Sequence, residues 1–268
     1  MALALAFHGQ CRLQVNATTQ LLLSRYQGAY LPIKIGSQWQ ASLIPPSGVT
    51  LANTGLVAAT LYYIYAFDSA GTLTLEASTT SAGVDTDTGI SIKNGDATRT
   101  LVGMVFTDAG TPGTFDADVS TSTRWCLNWF NRRGLVLSNT FSTDRTSTST
   151  TLAEVNTEIR LRYLTWWDDA VVLGASGTMS NSGVGQASGT GMAVDSTTVA
   201  LQISSFTSTG ANLRGPIALW VPTATGSEGS HFATLLGVVS GGTCTWASAD
   251  TVATNGAAKV RLFGTVRG

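Results

Sequence analysis

Thr157–Asp169, TEIRLRYLTWWDD, alternates along its length, and its reading decides the fold. As a strand it sends Thr157, Ile159, Leu161, Tyr163, Thr165 and Trp167 to one side. Glu158, Arg160, Arg162, Leu164 and Trp166 go to the other. A period of two marks a half-buried β-strand. The second face turns from charged to large and apolar, so the strand is expected to leave one environment and enter another. Trp167 is then expected in a core and Trp166 at a boundary with another subunit.

The surrounding composition agrees with β-structure. Of 268 residues, 43% are apolar, enough to build a core, and 12% are charged, about half the usual globular share. Ser, Thr, Asn and Gly must supply the polar surface, and Thr favours strands while Ser and Gly favour turns. The formal net charge of −1 gives no general attraction to nucleic acid or to an anionic membrane. Lys34, Lys93 and Lys259 are the only lysines among 15 basic residues. That Arg excess suits partly desolvated contacts between chains.

Cys11, Cys126 and Cys244 lie far apart, and His8 and His231 stand alone. No spacing suggests a metal site or a disulfide framework, and a reducing compartment fits. No apolar run reaches membrane-spanning length. Met1–Phe7 reads as a buried first strand rather than a signal peptide, since no basic residue precedes it.

Working outward, Gly36-Ser37 predicts a hairpin turn before Trp39, and Pro45-Pro46 a break. Leu61–Phe67 and Thr72–Glu76 predict a hairpin around Asp68–Gly71. Leu56, Thr60, Tyr62, Ile64 and Ala66 recur at even spacing. This resembles the tyrosine corner of fibronectin type III modules, with Ala58 where those carry Pro, and the resemblance implies a Tyr hydroxyl tied to upstream backbone. Arg99–Thr107 reads as an apolar strand. Arg124–Arg133 reads as a strand with Trp125, Leu127 and Trp129 on one face, although Trp125, Trp129 and Arg133 also fit helical spacing. Ser142–Thr151 is polar and low in complexity, a linker or an exposed edge. Val199–Phe206, Ile217–Val221, Phe232–Val239, Thr243–Ala247 and Val260–Val266 read as strands, with Gly241-Gly242 a tight turn. Short strands with regular turns indicate a sandwich or barrel. The expected fold is all-β in two β-domains: a hairpin-rich N-terminal domain at 1–138 and a jelly-roll-like β-sandwich at 139–268.

The segments TLYYIYAFDSAGTLTLE, ATRTLVGMVFTDAGTPGTF and RWCLNWFNRRG, a Thr-rich stretch, and the GTCTW…RLFGTVRG end together resemble bacteriophage virion proteins. The similar proteins are tail-fibre, spike, head-fibre or decoration components of tailed phages. The resemblance runs from about Gly9 to Gly268 and rests on scaffold motifs. It implies a non-enzymatic virion structural protein, assembled in the host bacterial cytoplasm, that contributes to host-surface attachment. The partners implied are copies of itself as a homotrimer, other tail or capsid proteins, and a host-surface glycan. A capsid-surface head fibre or decoration protein bound to the major capsid protein is the alternative, and a glycan depolymerase a third reading.

Trp166, Trp167, Asp168 and Asp169 are the candidate receptor or interface contacts, because sugar rings stack on aromatic faces and carboxylates accept their hydroxyl protons. The competing reading makes them core and interface. No catalytic, cofactor or metal residue is assigned. Asp168/Asp169 alternate faces, and Asp116/Asp118 fall in a loop, whereas glycosidases set two carboxyls ~5–9.5 Å apart across one bond. Two isolated histidines make no Ser-His-Asp order. The glycines of 183–189 precede no helix, as a phosphate loop would require. Arg132-Arg133 and Arg160/Arg162 are read as intersubunit salt-bridge clusters rather than nucleic-acid contacts, since no broader basic patch accompanies them.

Overall fold

The computed structural model describes residues 8–108, 110, 112–116, 121–221, 227–250 and 258–267. The first strand expected at Met1–Phe7, with Asp118 and Gly268, lies outside them. Among the described residues every regular element is a β-strand except one 3₁₀ turn. The chain divides into two compact units, one built from residues up to 120 with 124–133, the other from 121–123 and 134–267.

The first unit holds β1 (Cys11–Ala17), β2 (Gln20–Arg25), β3 (Tyr30–Ile35), β4 (Gln38–Leu43), β5 (Val49–Ala52), β6 (Leu61–Ser69), β7 (Thr72–Ser78), β8 (Ala82–Val84), β9 (Ser91–Lys93), β10 (Asp96–Asp108) and β11 (Thr114–Phe115). β12 (Thr123–Arg124) and β13 (Cys126–Asn128) follow. β10 is the spine: the order β7-β6-β10-β9-β8 is completed by β11 and β13, which also pair with β10. β1-β2-β5 form a second sheet and β3-β4 a hairpin turning at Gly36-Ser37.

The apolar run in β10 does not alternate, for a visible reason. A bulge between Leu101 and Gly103 resets its phase against β6. Val102 and Val105 thereby stay in the core with Ile64 and Ala66. Leu101, Met104, Tyr63 and Tyr65 are buried as well. Gly103 sits where a Cβ would lie 2.5 Å from the Leu127 carbonyl oxygen, so β13 can approach only a glycine. The tyrosine corner forms: Val57 N–H donates to Tyr62 Oη at 2.9 Å. Arg124–Arg133 is not helical; it is strand only at Arg124 and Cys126–Asn128 and bends over 129–131, with Trp125, Cys126 and Leu127 all buried.

The second unit holds β14 (Gly134–Thr140), β15 (Arg145–Ser147), β16 (Ala153–Glu154), the 3₁₀ turn Thr157–Ile159, β17 (Leu161–Thr165), β18 (Val172–Asn181), β19 (Ala187–Val194), β20 (Gln202–Thr207), β21 (Arg214–Val221), β22 (Gly229–Val239), β23 (Cys244–Trp246) and β24 (Arg261–Arg267). β14 runs across position 138. One sheet pairs β14-β24-β18-β21, and the other β17-β22-β19-β20. Taking the eight long strands in chain order, the first pairs the eighth, the eighth the third and the third the sixth. The second pairs the seventh, the seventh the fourth and the fourth the fifth. This is jelly-roll topology. The core between the sheets gathers Leu161, Tyr163, Leu173, Met179, Met192, Leu235, Trp246 and Leu262.

Several readings are corrected. The turn at Gly241-Gly242 carries the chain from β22 to β23, which belong to opposite sheets. Of the two alternatives for Ser142–Thr151 the exposed edge holds: the segment contains β15, an edge strand on β23. Thr157–Asp169 is not one strand: it opens with the 3₁₀ turn, capped by the Asn156 side chain, and pairs only over Leu161–Thr165. β18 and β19 come from a Gly/Ser/Thr stretch where no strand was expected.

Candidate functional site

In the jelly roll, the β17–β18, β19–β20 and β21–β22 connections emerge at one end. The register places them there: Thr165 faces Gly229, Val194 faces Ala233, and Leu173 faces Val221. Loops gathered at the end of a rigid sandwich are a usual place for binding residues.

All four sequence-designated residues fall in the β17–β18 connection, where the alternation breaks. After Thr165 the chain turns. The Asp169 carboxylate accepts the Trp166 N–H at 2.9 Å, and Asp169 N–H donates back to the Trp166 carbonyl at 3.0 Å. This closed turn buries Trp166 and Asp169 and throws Trp167 and Asp168 outward. Trp167 is 72% exposed and Trp166 1%. The expected roles of the two tryptophans are therefore exchanged: Trp166 is core and Trp167 surface. The reason is the turn, which abolishes the strand parity on which the expectation was based.

Behind the turn lies a polar cluster. His231 is buried beside β17, its ring centroid 5.8 Å from that of Tyr163. Its Nδ1 lies 2.6 Å from Asp195 Oδ2, and its Nε2 lies 2.6 Å from the Ser227 backbone oxygen. Thr165 Oγ1 donates to the same oxygen at 2.9 Å. Burial, followed by the Asp195 charge, pushes the Tyr163 hydroxyl well above its ordinary value. The histidine nitrogens thus meet a carboxylate and a carbonyl, not a hydroxyl nucleophile. Sequence reasoning left His231 standing alone and did not find its partner. The available signal was Asp195, the only charge between Ala170 and Leu213.

Arg160 is paired within its own chain. It forms a two-pronged pair with Glu154, both contacts at 2.7 Å, and stacks over Phe232 with its guanidinium carbon 4.2 Å from the ring centroid. Burial raises the Glu154 carboxyl, but hydrogen bonds from Arg160 and Thr234 outweigh it and hold the group below its ordinary value. Cys11, Cys126 and Cys244 are buried free thiols. Burial pushes Cys11 up to about 12 and Cys244 up to about 11, so both stay protonated near neutral pH. Among the described residues no group of three His, Cys, Asp or Glu side chains could hold a metal ion.

A second exposed feature lies along the seam between the sheets. Gln202 Oε1 accepts the Trp220 N–H at 3.0 Å, joining the edges of β20 and β21. Val199, Leu201, Ile203 and Trp220 are each more than half exposed there. No charge occurs from Ser196 to Leu213. Gly174 lets the Phe263 and Trp220 rings lie over β18, since a Cβ would come within 2.6 Å of Phe263 and 3.0 Å of Trp220.

No family model matches the chain, and no curated protein does. Among solved structures, the VP2 subviral particle of infectious bursal disease virus is similar at TM-score 0.33 and 11% identity, covering 98% of this chain and 74% of that one. The T13 particle of the same virus gives 0.29 and 11%, covering 96% and 74%. The insecticidal delta-endotoxin Cry8Ea1 of Bacillus thuringiensis gives 0.28 and 6%, covering 97% of this chain and 51% of the toxin. These are distant likenesses and carry no weight for function.

Proposed function

We propose that the protein is a non-enzymatic bacteriophage virion structural protein, a tail-fibre or spike component whose jelly roll contributes to host-surface attachment through a glycan. Trp167 carries this reading. A large aromatic ring 72% exposed beside the exposed Asp168, on a turn held from beneath by Trp166 and Asp169, is a platform for a sugar ring with an acceptor at its margin. Removing an exposed anchoring tryptophan costs about 2 kcal/mol or more of binding, roughly a 30-fold loss. Trp167→Ala is therefore expected to keep the melting temperature and weaken adsorption to host cells about 30-fold or more. Unchanged adsorption overturns the assignment. Reducing-end release from host lipopolysaccharide or capsule would point instead to a depolymerase.

The exposed apolar side chains along the seam support assembly as a homotrimer. Edge strands exposed to solvent usually carry charge or proline. β20 has neither, and apolar side chains flank it. We read the seam as covered by a neighbouring copy, which would multiply weak glycan sites into useful avidity. A desolvated lysine in such a contact is costly, so Ile203→Lys is expected to convert a trimer to monomers in light scattering, with the fold retained. A trimer unaffected by Ile203→Lys places the self-contact elsewhere. A wild-type monomer favours the second reading, a capsid-surface head fibre or decoration protein with the seam on the capsid, which copy number per particle would test.

A further inference from the structure

We infer that the seam is the inner edge of a three-fold wedge, in which Trp220 of one copy seats in a groove over Gly189 of the next. This deepens the homotrimer reading and rests on it. The groove and the ring lie on opposite flanks of the jelly roll. Side chains alternate along a strand, so the residues that face the core fix which ones face out. On β19, Met192 faces the core, which turns Gly189 and Gly191 to the outside of their sheet. On β21, Ile217 and Leu219 face the core, which turns Trp220 to the outside of the other sheet. Gln202 Oε1, by accepting the Trp220 N–H, joins the two flanks at the seam.

The groove exists because a side chain is missing. A Cβ on Gly189 would lie 3.0 Å from Val238 and 3.5 Å from Ile203. With hydrogen there instead, a depression of about 330 Å³ opens over β19, lined by Ala187, Gly189, Ile203, Ser205 and Val238 among others. Clefts of this size are large enough to bury a ring. β18, β19 and β20 carry no charged side chain, and Arg214 opens β21 at the far end from Trp220. Trp220 is 56% exposed, yet its position is fixed. Its backbone is tied to Gln202, and its ring lies 6.3 Å from that of Phe263, over Gly174. A rigid aromatic ring facing water suits the anchor of an interface, because it gives much contact area for little lost entropy.

The occupant of the groove is a second copy of this chain, on grounds of area and symmetry. Val199, Leu201, Ile203 and Trp220 together expose roughly 450 Å², about the apolar share of the ~800 Å² that each partner gives to a stable interface. A ring and a groove on different flanks make a head-to-tail contact, and such contacts close into a ring when the rotation from copy to copy allows it. Two flanks that meet at one edge form a wedge, and three such wedges close about an axis beside the seam.

Light scattering of the full chain tests this with two variants. Trp220→Ala removes the ring, and Ser205→Trp fills the groove. Both positions are exposed, so each variant should keep the circular dichroism of the parent. Each should raise the concentration at which the trimer half-dissociates by about 30-fold or more, the loss expected for one anchoring residue. A photoreactive p-benzoylphenylalanine at position 220 should join copies through peptides that contain residues 187–189, 203–205 or 238–240. A trimer that survives either variant, or crosslinks that fall outside those peptides, overturns the seating of Trp220 and leaves the trimer reading standing. A monomeric wild type overturns the trimer reading and the seating with it. Where a variant fails to fold, the crosslink decides.

Discussion

Trp246→Ala is expected to destabilise the C-terminal unit by about 3–5 kcal/mol, the range for deleting a fully buried tryptophan. Trp246 is wholly buried in the jelly-roll core. Its ring fills the space over Gly237, where a Cβ would come within 2.4 Å of it. Its indole N–H donates to Thr190 Oγ1 at 2.7 Å. Truncation therefore opens a cavity and removes the partner of a buried hydroxyl, and the two losses act in the same direction. For a unit of this size the melting temperature should fall by about 10 °C or more, read by calorimetry. A fall of under about 2 °C would mean that the two sheets close over the gap without it.

Trp166→Ala is expected to be the other severe change, again about 3–5 kcal/mol, while its neighbour Trp167 can be removed at almost no cost in stability. The contrast is the point. Trp166 is 1% exposed, and its backbone N–H is held by Asp169. Losing the ring leaves a void beneath the turn that displays Trp167, so glycan adsorption should also fall, through misplacement of the platform. Thermal denaturation of both variants, measured beside adsorption, separates the two effects. Equal melting temperatures would refute the assignment of Trp166 to the core.

Much of the first unit was legible because its signals are local. The Leu61–Glu76 hairpin needs only aromatic strands and an Asp-Ser-Ala-Gly turn, and the structure extends it to β6 and β7. The tyrosine corner is a contact over five residues, Val57 to Tyr62, so its spacing can be read directly. β18 and β19 were not legible. Their glycines and serines look like loop, but Gly174 faces Phe263 and Gly191 faces Ala200, in each case too close for a Cβ. Those neighbours lie 89 and 9 residues away in sequence, and nothing local announces the first of them.

The candidate site divides the same way. Trp166, Trp167, Asp168 and Asp169 were legible as an unusual run, since their residue types alone make them conspicuous. Which tryptophan faces water was not. Strand parity assigns Trp167 inward, and a hydrogen bond from Trp166 to a carboxylate three residues later reverses it. The partnership of His231 with Asp195 spans 36 residues and exists only because β19 and β22 pair.

By itself, then, the order of residues determined the all-β class, the hairpins and turns, the low charge, and the conspicuous run at Trp166–Asp169. Each of these depends on composition or on neighbours a few positions apart. The tertiary structure alone decided the jelly-roll pairing, the inversion of the two tryptophans, the strand character of the glycine-rich segment, and the pairing of His231 with Asp195. Those depend on side chains and carbonyls brought together from distant parts of the chain, where packing and hydrogen-bond satisfaction in the core override local propensity.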